Sequence, residues 1–107
     1  MQCILFLCSR NQLRSPTAEA IFCALPRIKV DSAGLAKDAE VPVSTDEIEW
    51  ADHIVVMEKI HRKRLNEQFS KSLKGKRITV LGIPDNYEFM EPELVDILKR
   101  KCAPFLS

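Results

Sequence analysis

Cys3-Ile4-Leu5-Phe6-Leu7-Cys8-Ser9-Arg10-Asn11-Gln12-Leu13-Arg14-Ser15-Pro16 runs from an unbroken apolar stretch, through a polar loop, into helix-forming sequence that continues to Leu25. It reads as strand, turn and helix, with a thiol at the end of the strand. Such a loop presents consecutive backbone N–H groups at a helix N-terminus, where orphan donors and the macrodipole both favour an anion. Phosphate is the natural occupant. A cysteine is nucleophilic only as thiolate, and a helix N-terminus and a neighbouring arginine both promote that form. Cys8 has both within reach.

The loop residues divide the work. Arg14, at the far end, can fold back and hold two phosphate oxygens with its planar fork, which a lysine could not do in the same way. Ser9, Arg10, Asn11, Gln12, Leu13, Arg14 and Ser15 together make the expected phosphate-binding loop. Ser15 can cap the first helical turn or donate to the sulfur of Cys8. Asn11 sits mid-loop, where positive φ is needed and Asn tolerates it, although a solvated turn Asn has the same spacing. The competing interpretation is a buried strand cysteine followed by an incidental arginine. Against it stands the position of Cys8, the last residue of the apolar run with the polar loop directly after it.

Apolar runs recur at Cys3–Leu7, Ile28–Val30, His53–Met57 and Ile78–Ile83, and continuous runs of this kind suit parallel strands covered on both faces. Helix-like stretches alternate with them. Thr17 to Leu25, after Pro16, places Ala18, Ile21, Phe22 and Leu25 on one face. Ser44 with Glu47 has the form of a capping box opening a short helix over Asp46 to Trp50. Glu58 to Phe69 carries Ile60, Leu65 and Phe69 among charges, and Pro92 to Phe105 carries Leu94, Ile97, Leu98 and Cys102 on a stripe. The expected fold is a three-layer α/β/α domain with a four-stranded parallel sheet, one domain over 1–107. Ligands of such sheets bind outside the carboxyl ends of the strands, which brings Cys8 and Asp85 to one edge.

With 107 residues and 46% hydrophobic content the chain can bury a core without staples. A net charge of +1 exerts no global pull on nucleic acid or an anionic membrane, so neither is an expected partner. There is no signal-peptide pattern and no membrane-length apolar run, so a cytoplasmic location is expected. The cysteines Cys3, Cys8, Cys23 and Cys102 lack ligand spacing, which points to neither a metal site nor a disulfide scaffold. Cys3, Cys23 and Cys102 are read as core residues, as is Trp50.

Cys8, Asn11, Arg14 and Ser15 resemble the active-site loop of the low-molecular-weight protein tyrosine phosphatases, whose pattern is Cys, five residues, Arg, Ser, with an Asn in the middle. Val30-Asp31-Ser32-Ala33-Gly34 is similar to that family's second strand and exit, and Ala51-Asp52-His53-Ile54-Val55-Val56-Met57 to its third strand. Ile83-Pro84-Asp85-Asn86-Tyr87 is similar to the loop carrying its general acid. Arg10 replaces a family glycine, Leu13 its second loop cysteine and Asn86 a proline, and the chain is short between Gly34 and Ser44. The resemblance implies hydrolysis of phosphotyrosine or small aryl phosphates through a cysteinyl-phosphate, with Cys8 as nucleophile, Arg14 binding the dianion and Asp85 as acid. It implies no metal or organic cofactor. Tyr87 is then a substrate-rim residue.

Several residues have a plainer explanation. Pro-Asp-Asn is turn chemistry by itself, Tyr87 can be a half-buried packing residue, and Glu91 and Glu93 suit a helix start while remaining, with Glu88, alternatives to Asp85. His61-Arg62-Lys63-Arg64 with Lys71, Lys74, Lys76 and Arg77 reads as a solvated helix face rather than a nucleic-acid surface. His53 and His61 lack ligand-spaced partners. Two other functions compete with the phosphatase. Arsenate reduction would require further cysteines near the nucleophile, and a catalytically weak phosphate- or phosphopeptide-binding module would require only the loop.

Overall fold

The computed structural model describes residues 2–106. Strands and helices alternate as β1 (Gln2–Cys8), α1 (Arg14–Phe22), β2 (Ile28–Gly34), α2 (Thr45–Trp50), β3 (His53–Val56), α3 (Lys59–Phe69), β4 (Arg77–Val80) and α4 (Pro92–Leu106). All strands are parallel, in the order β2-β1-β3-β4. β1 is therefore central, which explains its uninterrupted apolar run: successive side chains point to opposite faces, and both faces are covered.

Ile4, Phe6 and Cys8 point into a core shared with Ala18 and Phe22 of α1 and Leu94, Leu98 and Cys102 of α4. Leu5 and Leu7 point into a second core with Ile48 of α2 and Leu65 of α3. Helices thus cover both faces of the sheet, giving the expected three layers. The ring centroids of Phe6 and Phe22 lie 5.8 Å apart, stacked, at the centre of the first core.

Several elements depart from expectation. α1 begins at Arg14, with Pro16 third in the helix, where its missing N–H removes no intrahelical bond. It ends at Phe22, leaving Leu25 39% exposed. β2 extends through Asp31 and Ser32 to Gly34, because those polar residues pair in register with Leu5 and Phe6. Glu47 accepts the Ser44 N–H at 2.9 Å, the capping-box contact expected at the start of α2. Trp50 is 38% exposed and not core. On α3 the buried stripe is His61 and Leu65, one residue out of phase with the expected Ile60, which faces solvent. Of the cysteines expected inside, Cys102 is fully buried, Cys3 only partly, and Cys23 is exposed. No helix among the described residues is long and apolar enough to cross a membrane.

Candidate active site

β1 delivers Cys8 to the carboxyl edge of the sheet, and the loop from Ser9 to Leu13 carries the chain over to α1. Cys8, Ser9, Arg10, Gln12, Leu13 and Arg14 line one side of a cleft of about 470 Å³, and Ala36, Arg64 and Asp85 line the rest. Gly34 lies beneath the loop. A Cβ there would come within 2.5 Å of the Ala39 Cβ and 2.7 Å of the Ser9 carbonyl oxygen, so the loop can cross the end of β2 only over a residue without a side chain.

Hydrogen bonds give the sulfur a directed surrounding. The Asn11 N–H donates to Cys8 Sγ at 3.3 Å, and Ser15 Oγ lies 3.0 Å from the same atom. Asn11 has the positive φ, 57°, expected of it, but it is buried rather than solvated. Its side-chain amide donates to both Ser15 Oγ and Ser32 Oγ at 3.0 Å, and Ser32 in turn donates to Glu19 Oε1. The Ser15 oxygen thus accepts from Asn11 and keeps its own proton to give. Two acceptors are within its reach, the Ala33 carbonyl oxygen at 3.4 Å and, when ionised, Cys8 Sγ at 3.0 Å. Ser15 thus sits against the sulfur, and no side chain caps α1.

Arg14 is 2% exposed. Its Nη1 donates to Glu58 Oε1 and to the Ile83 carbonyl oxygen at 2.7 Å, so both protons of that nitrogen are committed. Asp85 Oδ1 stands 3.7 Å from Nε, and Nη2 has no protein partner among the described residues. One edge of the guanidinium is anchored and the other is open to a ligand, the geometry a bidentate oxyanion needs. Asp85 follows β4 and lines the same cleft, with its side chain 62% exposed.

Tyr87 does not line this cleft. It is half-buried against the larger core, so the contacts its side chain makes here are packing contacts. Arg10 pairs with Asp38 at 3.1 Å on the surface. The basic cluster is split by the fold, with His61 buried while Arg64 turns to the cleft.

Sequence reasoning missed Glu58 and His61 as site residues. The signal was their spacing of three at a helix start: the Glu58 N–H donates to His61 Nδ1 at 3.1 Å, so His61 takes the place Glu or Gln holds in a capping box. Burial and then Arg14 push the His61 imidazole down to about 4, keeping it neutral.

No protein-family model and no curated protein sequence matches the chain. Solved structures do. A low-molecular-weight protein tyrosine phosphatase from Streptococcus pyogenes superposes with a TM-score of 0.81 at 17% identity, covering 99% of this chain and 91% of that one. Wzb from Vibrio vulnificus, in complex with benzylphosphonate, gives 0.78 at 22% identity, covering 98% and 97%. The YwlE arginine phosphatase from Geobacillus stearothermophilus gives 0.74 at 21% identity, covering 97% and 92%. The fold is that of the low-molecular-weight protein tyrosine phosphatases.

Proposed function

We propose that this protein is a cysteine-dependent phosphatase that hydrolyses phosphotyrosine in proteins or small aryl phosphate monoesters. The open edge of Arg14 and the loop amides bind the phosphate dianion. Cys8 thiolate attacks phosphorus; the S–P bond forms as the P–O bond to the leaving group breaks, and protonated Asp85 gives its proton to the departing oxygen. Water then attacks the cysteinyl-phosphate, releasing the sulfur and returning a proton to Asp85. No metal enters the scheme, because guanidinium and amides supply the charge stabilisation. The chemistry needs a reduced thiol, which suits a cytoplasmic location.

What carries the proposal is one juxtaposition: the Cys8 sulfur held by the Asn11 N–H and the Ser15 hydroxyl, beside a half-anchored arginine, with the Asp85 carboxyl lining the same cleft. A phosphate-binding module would need the arginine but not the donors on the sulfur. Arsenate reduction has less support, since Cys102 is sealed in the core and its thiol pushed up to about 12 by burial. The test is turnover of para-nitrophenyl phosphate in the presence of a chelator. Wild type hydrolyses it, Cys8→Ser does not but still binds phosphate, and Asp85→Ala slows it by about 10²–10⁴-fold. Equal turnover by Cys8→Ser would eliminate the thiolate mechanism.

A further inference from the structure

The reaction proposed above leaves the Ser9 and His61 side chains without a task, yet they form a polar pair, Ser9 lining the cleft and His61 buried against it. Ser9 Oγ lies 3.0 Å from His61 Nε2. Side by side, a serine and a histidine suggest a nucleophile and its base. The other ring nitrogen excludes that pairing. His61 Nδ1 accepts the Glu58 backbone N–H at 3.1 Å, and a nitrogen that accepts carries no proton in neutral imidazole. Nε2 therefore bears the hydrogen and donates it to Ser9 Oγ. It has no lone pair left with which to take a proton from serine.

The same constraint fixes what the serine can do. Its oxygen is occupied as an acceptor, so its hydroxyl proton is directed elsewhere, and no other side-chain hydrogen bond from Ser9 is formed among the described residues. Ser9 lines the cleft immediately beside the nucleophile. A buried imidazole held at both nitrogens is a rigid donor, and a hydroxyl that already accepts one hydrogen bond donates a stronger one. His61 is fully buried, and its neutral form is the one that can satisfy both contacts, since a proton on Nδ1 would face the Glu58 N–H.

We propose that Ser9 is a catalytic residue whose hydroxyl, oriented by His61 Nε2–H, donates to a non-bridging oxygen of the phosphoryl group, and that His61 is a positioning residue. This rests on the phosphatase activity proposed above. The bond strengthens as negative charge spreads over the equatorial oxygens during transfer, so its effect falls on the transition state more than on bound phosphate.

The experiment compares wild type, Ser9→Ala, His61→Leu and His61→Gln with para-nitrophenyl phosphate as substrate, and with vanadate and inorganic phosphate as inhibitors. Ser9→Ala is expected to lower kcat by about 10-fold or more with KM nearly unchanged, and to weaken vanadate more than phosphate. His61→Leu shows the same selectivity loss, and His61→Gln, whose amide can accept from Glu58 and donate to Ser9, recovers most of it. Ser9→Ala with the wild-type kcat and vanadate affinity would overturn the proposal. So would labelling of Ser9 by a fluorophosphonate, which demands an unprotonated Nε2. A wild type that neither turns over substrate nor binds vanadate would refute the phosphatase instead, so the two failures are distinct.

Discussion

The neutral His61 makes acid stability a quantitative test of the network that supports the cleft. In the folded chain its value is pushed from 6.5 down to about 4, by burial first and Arg14 second, with Arg64 acting in the same sense and Glu58 and Asp85 against it. The unfolded chain binds this proton more readily. Stability therefore falls as pH drops from the unfolded value toward about 4, and levels off below it. At about 1.4 kcal/mol per pH unit, the contribution lost across that window is about 3 kcal/mol. His61→Gln keeps a side-chain acceptor for the Glu58 N–H and a donor for Ser9 but cannot titrate. Urea unfolding followed by circular dichroism at about pH 7 and about pH 4.5 should show wild type losing about 2–3 kcal/mol more than the variant. His53, also lowered by burial, titrates in both proteins and cancels in the comparison. Parallel losses, or an imidazole resonance of His61 with a midpoint near the ordinary value, would show that the ring is not held by the contacts described.

Other parts of the structure lead to further outcomes. Gly34→Ala puts a methyl group against Ala39 and the Ser9 carbonyl, and should destabilise by about 1–3 kcal/mol while weakening phosphate binding, measured by unfolding and by phosphate inhibition. Glu58→Gln leaves the buried Arg14 without its closest carboxylate; stability should fall by about 2 kcal/mol or more and KM should rise, and an unchanged KM would mean that Ile83 alone orients the guanidinium. Native alkylation at neutral pH should modify exposed Cys23 and spare Cys102 until the chain unfolds, read by peptide mass mapping.

The sheet and the cysteine loop were legible in the chain because local rules dictate them. A strand covered on both faces must be continuously apolar, so β1 and β3 announce themselves. A thiol where that apolarity stops must meet whatever the next loop binds, which identified Cys8, Arg14 and the positive φ of Asn11. Apolarity showed only the first half of β2, Ile28–Val30, and the family resemblance supplied the stretch through Asp31 and Ser32 to Gly34, in which Ser32 holds Asn11 in place.

Sequence alone singled out Cys8 as the candidate nucleophile and an oxyanion as the guest to expect beside it, because spacing along one strand, turn and helix sets both. Only tertiary structure decided how that loop is held: Glu19, Ser32, Glu58 and His61 reach it from other elements, through hydrogen bonds whose direction depends on what else each atom touches. The packing of Tyr87 was decided in the same way, by apolar surface that the neighbouring elements supply. Periodicity identifies which residues lie on a common face of one element, and contacts between elements far apart in the chain leave no such period.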